Sequence, residues 1–324
     1  MKNKKYIIGI DGGGSKTHAV LFDDEGKTLN EITDLGSSLS IYKKQGVKVI
    51  LNVLKKITRI SDINLENIDA VGIGIAGISD ENHRDILLNE LDRLNISKNS
   101  LVLSDLESAF ELLCPGGVGV IACIGTGIIC YGKNRNERSL KIAGNGHDKG
   151  DCGSAFWIGK RSIKHILVNQ SIVNVDKELI QINNAVKNKL NIESIKYLNN
   201  VIEDGDNMVC NISSIAPEII KLAQEGNDLA LSVIQEATTY VSEYLITLFN
   251  ELNINKDGVL ISGHGSVVKN NFYRKLLNEA LQFDLKKIKW IFSDLSSAYG
   301  AGILASKFKG INISIDEIVE NLRN

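Results

Sequence analysis

Proline is nearly absent from the 324 residues: Pro115 and Pro217 are the two it has. Turns must be made by something else, and 29 glycines are the candidates. Cysteine is also sparse. Cys114, Cys123, Cys130, Cys152 and Cys210 form an odd set with no Cys-x-x-Cys pair, which argues against a disulfide framework or a zinc ribbon and for a reducing compartment. Excess charge of either sign is lacking, with 37 Lys and Arg against 39 Asp and Glu and a formal net charge of −2. No basic field exists to hold a nucleic acid or an anionic membrane. Long apolar runs are missing too: the segment Tyr6–Asp11 behind Met-Lys-Asn-Lys-Lys is too short for a secretory core, and nothing approaches the roughly 20 residues of a membrane span. The expectation is a cytoplasmic protein. Its composition, 43% hydrophobic, 23% charged and 6% aromatic, is that of a globular chain long enough for two domains.

Along the chain, strands Tyr6–Ile10, Thr17–Asp23 and Thr28–Thr33 are separated by Gly- and Asp-containing turns, Asp11–Ser15 and Asp24–Gly26, which predicts an antiparallel meander. Helix Val47–Ile60, strand Ile68–Ile75, helix Glu81–Leu94 capped by Ser79 or Asp80, strand Leu101–Ser104 and helix Leu106–Leu113 follow. After Pro115-Gly116-Gly117 the opening pattern returns: strand Val118–Ile124, turn Gly125-Thr126-Gly127, strand Ile128–Tyr131, turn Gly132–Asn136, strand Leu140–Ala143. The two glycine turns lie 114 residues apart, counting Asp11 to Gly125, and such internal recurrence reads as two related domains. The remainder is mainly helical, over Ser154–Val168, Val175–Leu190, Asn191–Glu203, Ile215–Glu225, Asp228–Leu252, Tyr273–Leu281 and Ser296–Phe308, with strands Val259–Ser262 and Lys289–Ile291. Domains are expected at 1–116 and 117–293, with 294–324 returning to the first and hinges near Pro115–Gly117 and Ser293–Asp294.

The turn Asp11-Gly12-Gly13-Gly14-Ser15-Lys16-Thr17 joins two strands, so it is neither a Walker loop nor a dinucleotide fingerprint, both of which lead into a helix. Its glycines let main-chain N–H groups converge on an anion, Ser15 and Thr17 add hydroxyls, and Asp11 can hold a hydrated Mg²⁺. A plain flexible hairpin is the alternative. Gly125-Thr126-Gly127 repeats the device, and the pair could clamp a triphosphate. A third small-residue turn, Ile261-Ser262-Gly263-His264-Gly265-Ser266, could take a purine face, with His264 given no catalytic role.

On these motifs the chain resembles the hexokinase–actin–Hsp70 superfamily, and within it the BadF/BadG/BcrA/BcrD ATPase family in its N-acetylglucosamine kinase branch, bacterial N-acetylmuramate/N-acetylglucosamine kinases included. The likeness spans nearly the whole chain and takes in Asp294–Ala305 as a connecting helix. Its most specific segment is Gly144-Asn145-Gly146-His147-Asp148-Lys149-Gly150-Asp151-Cys152-Gly153-Ser154-Ala155. The resemblance implies an α/β fold of two ribonuclease-H-like domains around a central ATP and sugar cleft, using ATP and Mg²⁺ to phosphorylate the 6-hydroxyl of an amino sugar, with a homodimer allowed. It implies Asp105 as catalytic base, where an N-cap for the following helix is the simpler reading. Sugar contacts fall to Ser38, Asp105, Gly144, Asn145, Gly146 and Asp151, and nucleotide contacts to residues 12–17 and 125–127 with Ala216, Gly263, Gly265, Ser266 and Asn270. Asp151 could instead be a loop aspartate at a helix start.

Three positions depart from the family pattern. Cys152 replaces a glutamate, Ile128-Ile129 a polar pair, and Ser37-Ser38-Leu39 an asparagine. Short serines would widen the acceptor corner and admit the lactyl ether of N-acetylmuramate, its carboxylate met by Lys149 or Asn145. An alternative function is the ATP-driven activator of 2-hydroxyacyl-CoA dehydratases, whose iron–sulfur cluster would need closely placed thiolates. A sugar-sensing regulator or a zinc-bearing repressor-type kinase would need a helix-turn-helix ahead of Tyr6 or a different cysteine spacing.

Overall fold

A computed structural model describes residues 4–78, 81–147, 151–198 and 207–323. The chain divides into two compact units, Met1–Gly117 with Ser293–Asn324, and Val118–Phe292.

The first unit is built on strands β1 (Tyr6–Gly12), β2 (Lys16–Asp23), β3 (Thr28–Leu35), β4 (Ala70–Ile75) and β5 (Ser100–Leu103), ordered β3-β2-β1-β4-β5. β1, β2 and β3 form the expected meander, and β4 and β5 add in parallel on the other side of β1. β4 is buried throughout, as a strand covered on both faces must be. Helices α1 (Leu39–Ile60), α2 (Glu81–Arg93) and α3 (Asp105–Leu113) connect these strands. One apolar layer joins Ile8, Ile10, Ile73 and Ile75 to Ile50, Val53, Leu54 and Ile57 of α1.

The second unit repeats the plan. Its strands β6 (Gly119–Ile124), β7 (Ile128–Lys133), β8 (Ser139–Ala143), β9 (Leu260–His264) and β10 (Lys289–Ile291) are ordered β10-β9-β6-β7-β8, again a meander with two parallel strands beside its first member. The recurrence at 114 residues is therefore a recurrence of topology. Between β8 and β9 come α4 (Ala155–Val168), α5 (Lys177–Leu190), α6 (Met208–Ser214), α7 (Ala216–Gln224) and α8 (Asp228–Glu251); α9 (Ser266–Lys269) and α10 (Asn271–Leu281) precede β10.

Back in the first unit, α11 (Ser297–Phe308) lies almost in contact with the sheet backbone. A Cβ on Gly9 would stand 1.9 Å from the Ala298 carbonyl oxygen, and one on Gly72 2.0 Å from that of Ala301. α12 (Ile315–Arg323) ends the fold.

Several boundaries differ from expectation for identifiable reasons. Asp11 and Gly12 are paired with His18 and Thr17 inside the β1–β2 ladder, so the turn is Gly13–Ser15 alone. α1 begins eight residues early, because the polar, exposed run Lys43–Gln45 interrupts the apolar period between Leu39 and Val47, and it is broken at Lys43 (φ 49°, ψ −128°). α6 has no counterpart among the expected helices, and Ser314 and Glu317 form a reciprocal cap at the start of α12. Of the helix expected over Asn191–Glu203, residues 191–194 are turn, bend or irregular, Ile195–Tyr197 is a 3₁₀ turn and Leu198 is helical, with residues 199–206 outside the described ones. Ser79 and Asp80, expected as caps, also lie outside them.

Candidate functional site

In the first unit the candidate residues gather where parallel strands β1 and β5 end, the usual place for ligands in an open α/β sheet. The Gly13 N–H closes the turn on the Lys16 carbonyl at 3.0 Å, and the N–H groups of Ser37 and Ser38 both donate to the Gly13 carbonyl, each at 3.0 Å. The Tyr42 phenol donates to the Gly14 carbonyl at 2.7 Å. With its carbonyls held from behind, the turn keeps the N–H groups of Gly14 and Ser15 without an acceptor among the described residues. That is the arrangement an anion needs.

Thr17 and Ser38 depart from the roles expected of them. Thr17 is fully buried, its hydroxyl 2.6 Å from the Leu35 carbonyl and 2.7 Å from Ser37 Oγ, so it ties the loop together instead of facing solvent. Ser38 is 1% exposed and its hydroxyl pairs with Ser40 at 2.9 Å, so the open corner expected beside the short serines is filled.

Asp105 is not an N-cap. Ser104 caps α3, accepting from the Glu107 N–H at 3.2 Å while Glu107 Oε2 accepts from the Ser104 N–H at 2.8 Å. Asp105 is the first helical residue, and its Oδ1 accepts from the Leu106 N–H at 3.0 Å. Its charge reaches Asp11, whose carboxyl is pushed up to about 7 mainly by burial and secondly by Asp105, against the opposing charge of Lys16. Among the described residues no group of three or more His, Cys, Asp and Glu could hold an ion unaided. Two hard carboxylates, one of them reluctant to ionise, do suit a hydrated Mg²⁺ that completes its shell with water and phosphate oxygens.

In the second unit the turn after β6 is braced differently. Gly125 N–H bonds the Gly127 carbonyl at 3.0 Å, while the carbonyls of Gly125 and Thr126 accept from Ala155 and Phe156, at the start of α4, at 2.8 and 3.2 Å. Beside it lies Gly265, with φ +100°; a Cβ there would stand 2.5 Å from the Ile124 carbonyl oxygen, so this turn requires glycine. Ser266 opens α9, and Asn270 caps α10, its Oδ1 accepting from Phe272 and Tyr273 at 3.0 Å each. Gly263 lies against the Phe292 ring. Ala216 is fully buried in the core, so its methyl is not offered to a ligand. Burial lowers the His264 pKa, with Lys269 adding to the effect, and favours the neutral imidazole.

The carboxyl of Asp151 completes this group. It is 7% exposed, Oδ2 lies beside Gly127, and Oδ1 has no hydrogen-bond partner among the described residues. Burial raises its pKa, opposed by the backbone N–H groups of Asn145, Ile128, Gly144 and Gly146. Ser154 caps α4, so Asp151 does not. Residues 148–150, Lys149 among them, lie outside the described ones. Sequence reasoning missed the Tyr42 clamp, which leaves no local signature, and the Ser104–Glu107 cap, which does as Ser-x-x-Glu.

The thiols do not support a shared cluster. Cys123 pairs with Ile129 and Cys130 with Ala122, so the two point to opposite faces of the sheet. Burial pushes the Cys130 thiol up to about 12, away from the thiolate a metal would need.

Residues 8–305 match the BadF/BadG/BcrA/BcrD ATPase family, and the chain belongs to it. It is 28% identical to an N-acetylmuramic acid/N-acetylglucosamine kinase of Clostridium acetobutylicum, over 93% of this chain and 98% of that protein. It is 22% identical to an N-acetyl-D-glucosamine kinase of Dictyostelium discoideum, over 95% and 99%. Among solved structures, a proposed N-acetylglucosamine kinase of Chromobacterium violaceum shares the fold with a TM-score of 0.72, 19% identity and coverage of 93% and 99%. A ROK-family glucokinase of Streptomyces griseus, solved with glucose and AMPPNP, does so with a TM-score of 0.56, 17% identity and coverage of 93% and 99%. No described helix is long and apolar enough to cross a membrane.

Proposed function

We propose that the chain transfers the γ-phosphoryl group of ATP to the 6-hydroxyl of an amino sugar, accepting both N-acetylglucosamine and N-acetylmuramate. The observation that carries the reading is Asp151 Oδ1. A buried carboxylate oxygen with no donor is costly unless a ligand supplies one, and a sugar offers hydroxyls in pairs that one carboxylate can accept. The names of the Clostridium and Dictyostelium relatives support an amino sugar as the acceptor, and the Clostridium name supports N-acetylmuramate beside N-acetylglucosamine.

In this reading the N–H groups of Gly14 and Ser15, and the turn Gly125–Gly127 with Gly265 and Ser266, hold phosphate oxygens. Asp105 orients the sugar hydroxyl and accepts its proton as the oxygen attacks phosphorus. Asp11, directly or through water, would hold Mg²⁺, which supplies charge neutralisation on the phosphates. A panel of N-acetylglucosamine, N-acetylmuramate, glucosamine and glucose in an ADP-coupled assay tests the reading. Turnover of both N-acetylated sugars, with loss of sugar saturation in Asp151→Asn, is expected; activity confined to glucose would overturn it.

A further inference from the structure

The turn between β9 and α9 is held at both ends by one stack of side chains. At its start a Cβ on Gly263 would stand 2.8 Å from Phe292 Cζ and closer still to Cε1, so the strand-end backbone rests directly on that ring. At its end α9 is four residues long, too short to satisfy its own last carbonyls. Arg274 supplies a donor. Its Nη1 bonds the carbonyl of the fully buried Val268 at 2.8 Å, while Nη2 bonds Asn271 Oδ1 at the start of α10. The two ends meet, because Arg274 Cζ lies 4.7 Å from the centre of the Phe292 ring.

The ring is fixed in turn. Trp290, two residues earlier, stacks on Phe292 with centres 6.3 Å apart and planes 17° from parallel, and its indole N–H donates to Asn278 Oδ1 on α10 at 2.9 Å. Between the clamped ends stand His264, Gly265 and Ser266. A loop whose two ends are tied to each other has few ways to move, so N–H groups within it lose little freedom when an anion binds. Arginine suits this place because its planar fork reaches two acceptors while its face stays on the ring, which the single ammonium of lysine cannot do.

We propose that Arg274 and Phe292 are positioning residues that hold the Gly263–Ser266 turn in its anion-binding shape and thereby set the affinity for ATP. The proposal rests on the reading that Gly265 and Ser266 hold phosphate oxygens. It assigns the acceptor sugar no part in this stack.

The experiment pairs steady-state kinetics, with ATP and N-acetylglucosamine varied in turn, with calorimetric binding of the ATP analogue AMPPNP. Arg274→Ala is expected to raise the ATP KM and the AMPPNP Kd about tenfold, the scale of one lost charge-assisted hydrogen bond, with kcat and the sugar KM changing far less. Arg274→Lys should recover little of the loss. Phe292→Leu should raise the same two constants, and the double variant Arg274→Ala/Phe292→Leu should lose less than the two single variants combined. Unchanged nucleotide constants in Arg274→Ala, full recovery in Arg274→Lys, independent losses in the double variant, or kcat and sugar KM moving in step with ATP KM would each overturn the proposal. If Arg274→Ala fails to fold, Arg274→Lys and Phe292→Leu decide by their own nucleotide constants. Hydrogen exchange on the wild-type protein separates the two layers, AMPPNP being expected to protect the amides of residues 263–271. Protection there with unchanged constants in the variants overturns the positioning role alone; no protection there overturns the reading of the turn as a phosphate site, and the positioning role with it.

Discussion

Ser104 and Glu107 cap α3 reciprocally, each accepting from the other's backbone N–H, at 3.2 and 2.8 Å, so the helix start does not depend on Asp105. Stability and chemistry should therefore separate. Asp105→Asn is expected to lower kcat by roughly 10²–10⁴ with little change in melting temperature. Glu107→Ala should remove about 1 kcal/mol of stability and keep most of kcat. Near-wild-type kcat in Asp105→Asn would remove its role as base.

The pH dependence of stability follows from Asp11. Its carboxyl titrates near 7 in the folded chain and near its ordinary value of 3.8 when unfolded, so between those values the native state binds a proton that the unfolded state releases. The associated stability is fully present below about pH 4 and is lost as pH rises through about 7. In chelator-treated buffer the melting temperature of Asp11→Asn should gain on that of wild type across this window and level off above it. A difference between the two that is constant with pH would contradict the shift.

Thr17 and Ser15 stand two residues apart and should fail in different ways. Thr17→Val leaves the Leu35 carbonyl and the Ser37 hydroxyl without their buried partner and should cost about 1–3 kcal/mol in denaturant unfolding. Ser15 is exposed, and Ser15→Ala should instead raise the ATP KM with stability kept. Reversal of the two phenotypes would put Thr17 on the nucleotide.

Ser38→Asn tests the filled corner. At a position 1% exposed the larger side chain has no space to enter, so melting temperature should fall. The ratio of KM values for N-acetylmuramate and N-acetylglucosamine should stay as in wild type. Selective loss of N-acetylmuramate would show that Ser38 lines the acceptor site after all.

Gly9→Ala places a methyl group 1.9 Å from the Ala298 carbonyl oxygen and should remove about 1–3 kcal/mol or more by forcing α11 off the sheet. Gly116→Ala, with nothing within 4 Å, should fall within about 0.5 kcal/mol of wild type. Equal melting curves for the two would refute the close approach.

Much of this was legible in the sequence because period-2 apolar runs and glycine turns are local signals. Strands around Tyr6–Gly12 and Gly119–Ile124 could be read from alternation and punctuation, and their repetition gave the topology. Asp105 and Asp151 could be placed at element ends, but their freedom from capping depended on Ser104 and Ser154, which only coordinates rank against them. Thr17 and Ser38 were misjudged for one reason. Small hydroxyls serve ligands and buried loops alike, and what distinguishes the two is burial by residues distant in sequence, here Leu35 and Ser37 packing over Thr17.

The start of α4 is a shared mounting. Its first two N–H groups grip the carbonyls of the Gly125 turn, and Asp151 hangs from its cap through the Ser154 N–H. A load on the carboxylate is thus borne by the same few peptide groups that hold the turn, as two hooks screwed into one beam share its flexing. With a phosphate on the one and a sugar on the other, as proposed, any effect of either ligand on the other's binding is matched by an equal effect in return, whichever arrives first.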